Sequence, residues 1–397
     1  DLLNMPELLK NPEPKPDKRK NIWLLGFVSL FTDLSSEMIY PLIPEFLKSI
    51  NASNLLIGII EGIAETTAAL FRTVFGKLSD KMKNRKLFIF IGYGLSAFSK
   101  PFLFFSQSWF HVLMVKFSDR LGKAIRTSPR DALISTSADK SKTGTAFGIH
   151  RAMDNIGAVG GPLLAMLILF FFNNNLRIVF LFSAVPAVIA LTFIAFTRET
   201  GTPVLKNTEH EHSSGIKSPA FILFLIANII FTFGNSSNAF LILRAREVGI
   251  TVKMIPVIWM VYNISGVIFS PIFGSLSDKI GRKPVIITSF ITYIIIYVLF
   301  GLLNTPLAMW LLFFSYGIYH GLSEGVYRAY IADVVEEKNR ATAYGIFNTG
   351  IGIALFPASM LMGTIWDEYS SKLAFITAAC FAALGFIVFL FSLKLKR

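Results

Sequence analysis

The stretch Gly274-Ser275-Leu276-Ser277-Asp278-Lys279-Ile280-Gly281-Arg282-Lys283-Pro284 is a second writing of Gly76-Lys77-Leu78-Ser79-Asp80-Lys81-Met82-Lys83-Asn84-Arg85-Lys86. The two copies are separated by half of the 397 residues. A second echo keeps the register, because Thr145-Ala146-Phe147-Gly148-Ile149 returns as Thr342-Ala343-Tyr344-Gly345-Ile346. The chain therefore reads as two copies of one unit.

Composition says where those units reside. Hydrophobic residues make up 53% of the chain and charged residues 16%, with a mean hydropathy of +0.58, whereas soluble domains carry roughly 25% charged residues. A bilayer crossing needs about 20 mostly apolar residues. Twelve such runs are predicted, at 22–49, 54–75, 87–106, 109–134, 144–172, 176–196, 218–243, 252–273, 284–303, 307–332, 341–365 and 372–393; they are numbered spans one to twelve. The expected fold is an all-α membrane protein of two pseudo-symmetric six-helix bundles, 22–196 and 218–393. These are joined by a cytoplasmic linker, 197–217, and flanked by cytoplasmic tails, 1–21 and 394–397. The first run is too long, and too closely followed by others, for a cleaved signal peptide. Parallel halves in a chain this apolar imply a transporter with a site between them.

Lysine and arginine set the orientation, since cytoplasmic loops retain them. Lys15, Lys18, Arg19 and Lys20 precede span one, and Lys77, Lys81, Lys83, Arg85 and Lys86 follow span two, while Asn51-Ala52-Ser53, Ser106-Gln107-Ser108 and Asn304-Thr305-Pro306 are uncharged. Both termini are expected in the cytoplasm, and compact loops suggest a bacterial inner membrane. The net charge of +13 spreads over loops at one face, so nucleic acid is not an expected partner. Cys380 stands alone, and His210 and His212 in the linker have no further ligands near them in sequence. No metal, no cofactor and no enzymatic chemistry are expected, and the chain is expected to act as a monomer.

The two copies resemble the loop signature of the major facilitator superfamily, Gly-x-Leu-Ser/Ala-Asp-Arg-x-Gly-Arg-Arg/Lys, and the resemblance covers essentially the whole chain. The second copy departs only by Lys279; the first has Lys83 for the second glycine and Asn84 for the first arginine of the basic pair. The resemblance implies gating roles for Gly76, Asp80, Arg85, Gly274, Asp278, Gly281 and Arg282. In it, the aspartates cap a neighbouring helix and pair with basic residues to hold the cytoplasmic side shut. Gly157-Ala158-Val159-Gly160-Gly161-Pro162 in span five resembles the Gly-x-x-x-Gly-Pro segment of the family's antiporters, with Ala165-Met166 in place of the terminal glycine pair. It implies proton antiport and export, although close helix packing alone would use the same residues.

Ionisable residues within spans are costly unless paired or facing a cavity. Helical rise puts Asp33 near the middle of span one with Glu37 a turn on, Glu65 in span two, Asp119 and Arg120 in span four, and Arg151 and Asp154 in span five. His320, Glu324 and Arg328 share one face of span ten. On this reading acids outnumber bases, and an unmatched carboxyl in a low-dielectric interior holds a proton. Asp33 is the first candidate for proton coupling, followed by Glu37, Glu324, Glu65 and Asp154. The alternative is that these groups form buried pairs that orient helices. Lys116, Arg120, Lys123, Arg126 and Arg130 in span four, with Arg72, make a basic lining, and the like-charged i, i+4 pairs call for something negative between them. Four tryptophans, Trp23, Trp109, Trp310 and Trp366, fall at span ends. Trp259, Tyr262 and Asn263 lie inside span eight and are expected to face Asn228, Asn235 and Asn238 of span seven.

Arg120, Lys123, Arg151, Asn235, Trp259, Tyr262, Asn263, His320 and Arg328 are accordingly the expected solute contacts. The function expected is proton-coupled transport of a small polar, anionic organic solute of carboxylate-metabolite or siderophore type, by alternating access, with export favoured. Efflux of cationic drugs or metal cations is one alternative; a transporter-like receptor for a solute is another.

Overall fold

A computed structural model describes residues 19–82, 84–138, 143–199, 218–336 and 339–393. Among them all regular structure is helical, and twelve spans are formed. Ten meet both the length and the apolarity of a membrane crossing: Lys20–Ser49, Asn54–Met82, Arg85–Phe105, Thr143–Phe171, Leu176–Phe196, Pro219–Glu247, Val252–Ile280, Arg282–Leu302, Thr342–Glu368 and Ser371–Leu393. Spans four, Trp109–Ser137, and ten, Pro306–Val334, are as long but fall short of that apolarity, four through its charges and ten through its tyrosines, serines and glycines. They occupy equivalent places in the two halves, and both carry the ionisable side chains of the cavity described below.

Packing repeats with the sequence. Span one lies against five and six, two against four, and three against four and six; seven lies against eleven and twelve, eight against ten, and nine against ten and twelve. The halves meet along two seams that are also equivalent, span two with eleven and span five with eight. The first seam is glycine-dependent. A Cβ on Gly58 would sit 2.2 Å from the Ser359 carbonyl oxygen, and one on Gly363 would sit 2.4 Å from that of Asn54.

Two features differ from the expectation. Helix continues through both signature copies, to Met82 and to Ile280, so most of each motif is helix end; apolarity stops at the bilayer surface but backbone hydrogen bonding does not. The turn of the second copy is Gly281 alone, at φ +91°, a conformation glycine tolerates. Gly274 has open space around it, whereas a Cβ on Gly76 would come within 3.1 Å of Ser128 in span four. In the first copy Asn84 caps the next helix by accepting from the Leu87 N–H at 3.1 Å; Lys83 lies outside the described residues.

Spans one and seven, equivalents again, are both interrupted. Span one passes through a 3-10 turn at Tyr40–Leu42, with Pro41 in it. Span seven breaks between Gly234 and Ala239, where Asn235-Ser236-Ser237-Asn238 leave the helix. Such interruptions are tolerated at membrane depth only where a cavity or other protein satisfies the backbone. The tails at 1–18 and 394–397, and linker positions 200–217 with His210 and His212, lie outside the described residues.

Candidate functional site

A cavity opens between the halves toward the face that carries the signature motifs. The opposite face is sealed. There Arg246 pairs with Glu45 at 2.8 Å, and Asp367 accepts from the backbone N–H groups of Asn54 and Leu55 at 3.1 and 2.8 Å, satisfying the first turn of span two from the other half. On the signature side the halves part, leaving the cavity-lining Arg151 and Arg328 side chains 61% and 65% exposed. The cavity has two connected chambers of about 400 and 430 Å³, within the range of small-molecule sites.

The first chamber is charged, and its charges are mostly used. Glu61 and Glu65 of span two face Lys116 and Arg120 of span four as two parallel rungs. Lys116 is hydrogen-bonded to Glu61, both fully enclosed, and Arg120 lies 2.9 Å from Glu65. These carboxylates are the negative groups that the repelling i, i+4 cations required, so the like-charge spacing does not call for an external anion. Lys100, where span three passes into a 3-10 helix over Lys100–Phe105, donates to Ser36 at 2.7 Å and to Ser35 at 3.3 Å and reaches Asp119 at 3.9 Å. The excess of acids read from sequence is thereby reduced, because Lys100 joins the account and meets Asp119; Lys116 is spent on Glu61, an acid outside that reading. Arg126 donates to Ser96 at 2.5 Å and covers the Tyr93 ring at 4.4 Å.

Arg151 does not sit as a free cation at mid-depth. It is half-exposed on the signature side and bridges the halves to Glu324 at 3.1 Å. Glu324 is also approached by His320 and Arg328, each at 3.5 Å, so the span-ten triplet does share a face. Asp154 is hydrogen-bonded by Ser29 and lies 3.4 Å from His150. Glu37 accepts from Trp259 Nε1 at 2.7 Å and from Asn263 at 3.5 Å, joining span one to span eight. Trp259 therefore faces span one, packing on Tyr40 with ring centroids 5.1 Å apart; of the span-seven asparagines expected opposite, Asn238 lines this chamber with Trp259, Tyr262 and Asn263, and no hydrogen bond joins the two sets among the described residues.

Two groups remain. Among the cavity-lining carboxylates of the described residues, only Asp33 has no hydrogen bond or ion pair, and Lys123 opens to the same chamber with no carboxylate within 4 Å. The glycines of span five explain how this acid is held. A Cβ on Gly157 would stand 2.9 Å from Asp33 Cβ, and one on Gly161 would stand 2.8 Å from Glu37 Cβ. The small residues let span five press against the two acids, so packing and site share one motif.

The second chamber is uncharged over most of its wall. Tyr316 donates to Asn238 at 2.9 Å and to Asn235 at 3.4 Å, and Tyr293 to Asn235 at 3.3 Å. Asn228 instead satisfies its own helix, donating to the Phe224 carbonyl. Tyr262 stacks on Tyr316 and, nearly parallel, on His320.

At the signature motifs each ion pair stays within its half: Asp80 with Arg85 at 3.5 Å, Asp278 with Arg282 at 2.5 Å, and Arg282 with Asp333 at 3.5 Å. Sequence reasoning missed Glu61, Lys100 and Asp333. Glu61 had a signal, since Glu61 and Glu65 repeat the spacing of Lys116 and Arg120 on a span running the same way.

The profile described as Major Facilitator Superfamily matches residues 25–243 and again 223–397. The chain belongs to the Major Facilitator Superfamily. Within it, the chain is 36% identical over 392 residues to the uncharacterised MFS-type transporter MJ1317 of Methanocaldococcus jannaschii, covering 97% of this chain and 98% of that one. It is 23% identical over 313 residues to the multi-drug resistance efflux pump PmrA of Streptococcus pneumoniae, covering 76% and 77%. Its fold is similar to a bacterial homolog of the human lysosomal transporter Spinster, in an inward-facing and occupied conformation, with a TM-score of 0.80 at 13% identity over 96% and 98% of the two chains. This superfamily member is a membrane transporter and not an enzyme.

Proposed function

We propose that this superfamily member is a proton-coupled carrier of a small polar organic anion, working by alternating access. The observation that carries the reading is the pair left over in the charged chamber, an unpartnered Asp33 beside an unpartnered Lys123. Lys123 supplies the charge that receives an anion, and Asp33 supplies a carboxyl whose charge depends on whether it holds a proton. The other lining charges have partners of their own and are better suited to shaping the chamber.

Glu37 couples the two, since its bond to Trp259 crosses between halves. Glu65, Asp154 and Glu324 are assigned supporting roles, Glu65 with Arg120, Asp154 with Ser29 and His150, and Glu324 with Arg151 and Arg328. The signature aspartates are assigned to the closed state of the open face, which we place in the cytoplasm of a prokaryotic plasma membrane, following the lysine and arginine bias. Export is the favoured direction, supported by the Gly157–Pro162 segment and by the efflux named for PmrA. A second reading, efflux of cationic drugs, draws on the same name and on Asp33 and Glu37.

The test is uptake into proteoliposomes under an imposed pH gradient, with calorimetric titration of organic acids and lipophilic cations. Binding of acids that weakens in Lys123→Gln supports the anion reading. Binding of lipophilic cations alone, strengthened by Lys123→Gln, establishes the drug reading instead.

A further inference from the structure

The second chamber is built differently from the first, and its construction specifies what the solute presents there. Its wall is made chiefly of amides, hydroxyls and rings, with Asn235, Ser236, Asn238, Tyr319 and Asn348 among them. Asn235 and Asn238 use their side-chain oxygens to accept from tyrosines. Among the described residues no acceptor takes their NH₂ groups. Asn348, exposed on span eleven, has no side-chain hydrogen bond among the described residues, and the hydroxyl of Ser236 is buried in the same wall without a partner.

The two chambers share a waist formed by Tyr40, Glu65, Asn238, Tyr262 and His320. Three of these five are rings, and His320 lies parallel to Tyr262, 5.9 Å away and 5° from coplanar orientation. Ring faces offer apolar surface; the amides beside them offer donors. An apolar or purely aromatic solute filling this chamber would leave those donors unpaired, which opposes its binding. A second anionic group would meet no unpaired cation, since Arg328 at the mouth already faces Glu324. A polyhydroxylated ring satisfies both requirements, placing its C–H face on aromatic surface and its oxygens before the amides.

We infer that the second chamber binds an uncharged, polyhydroxylated moiety of the solute, so that the carried molecule is a sugar acid or similar glycosyl-bearing anion. The anionic half of this statement rests on the function proposed above; the polyhydroxylated half rests on the second chamber alone.

The experiment is calorimetric titration of the full chain in lipid nanodiscs with D-glucuronate, succinate and D-glucose. Glucuronate is expected to bind at least tenfold more tightly than succinate. Asn235→Ala and Asn348→Ala, both confined to the second chamber, should each weaken glucuronate about threefold to tenfold, the range of one hydrogen bond, while leaving succinate unchanged. Because Asn348 has no protein partner, its variant keeps the fold, and a melting temperature equal to the parent's checks this. Lys123→Gln should weaken both acids equally. Glucose binding without either acid supports the chamber assignment and defeats the anion reading. Succinate bound as tightly as glucuronate, equal loss of both acids in the asparagine variants, or binding of neither glucuronate nor glucose overturns the inference.

Discussion

Asp33 and Lys123 stand out because the residues around them are paired. If Asp33 carries the transported proton, Asp33→Asn abolishes pH-gradient-driven uptake in proteoliposomes and leaves titratable solute binding; unchanged uptake removes Asp33 from the mechanism. The rung between Glu61 and Lys116 is expected to behave otherwise. Removing one partner of a buried pair costs about 3–5 kcal/mol, because a charge is left uncompensated. Lys116→Met should therefore lower thermal stability strongly, and Glu61→Gln combined with Lys116→Met should recover most of the loss. A double variant as unstable as the single one would show that the rung is not an isolated pair. At this scale the sequence was partly legible. Depth along a helix identified Asp33, Glu37 and the span-ten triplet from spacing alone. Which acid meets which base depends on helix rotation and on neighbours distant in sequence, and so Lys100 and Glu61 were passed over.

Among the elements, the seam between spans two and eleven holds the sealed face shut. Even a methyl group on Gly58 collides with backbone rather than with a flexible side chain, and overpacking of this kind costs about 1–3 kcal/mol. Gly58→Ala should loosen that face. The check is faster maleimide labelling of a cysteine placed at Leu55, in a Cys380→Ser background; identical labelling would mean the seam has slack. The twelve spans were readable because hydrophobic length is a local property. Their ends were not, since Gly76–Met82 and Gly274–Ile280 are helical yet polar, and the interruption at Asn235–Asn238 carries no proline to announce it.

For the whole molecule, alternation requires the open face to close and the sealed face to part. The signature ion pairs now lie within single halves, so closure must bring new partners to Asp80 and Asp278. Asp278→Ala should hold the chain in the present state, seen as persistent labelling of a cysteine placed at Asn348, exposed in the second chamber on span eleven, when solute is added to a Cys380→Ser background. Labelling that falls as in the parent would make the motif a structural helix end. The pseudo-symmetry was the most legible feature, being written twice, and it extends to matched seams and matched interruptions.

Span four, too charged to qualify as a crossing on apolarity, bears on how the protein is made. A charged residue at mid-membrane opposes insertion of a lone helix by about 2.5–3.5 kcal/mol, and span four carries Lys116, Asp119, Arg120 and Lys123 in its central stretch. It cannot be expected to leave the translocon for lipid unaided. Span two, synthesised earlier, already displays Glu61 and Glu65 in matching register. Span four would thus enter the bilayer against a waiting partner, and the ladder of charges that shapes the chamber in the finished protein would first serve as the docking edge for its assembly.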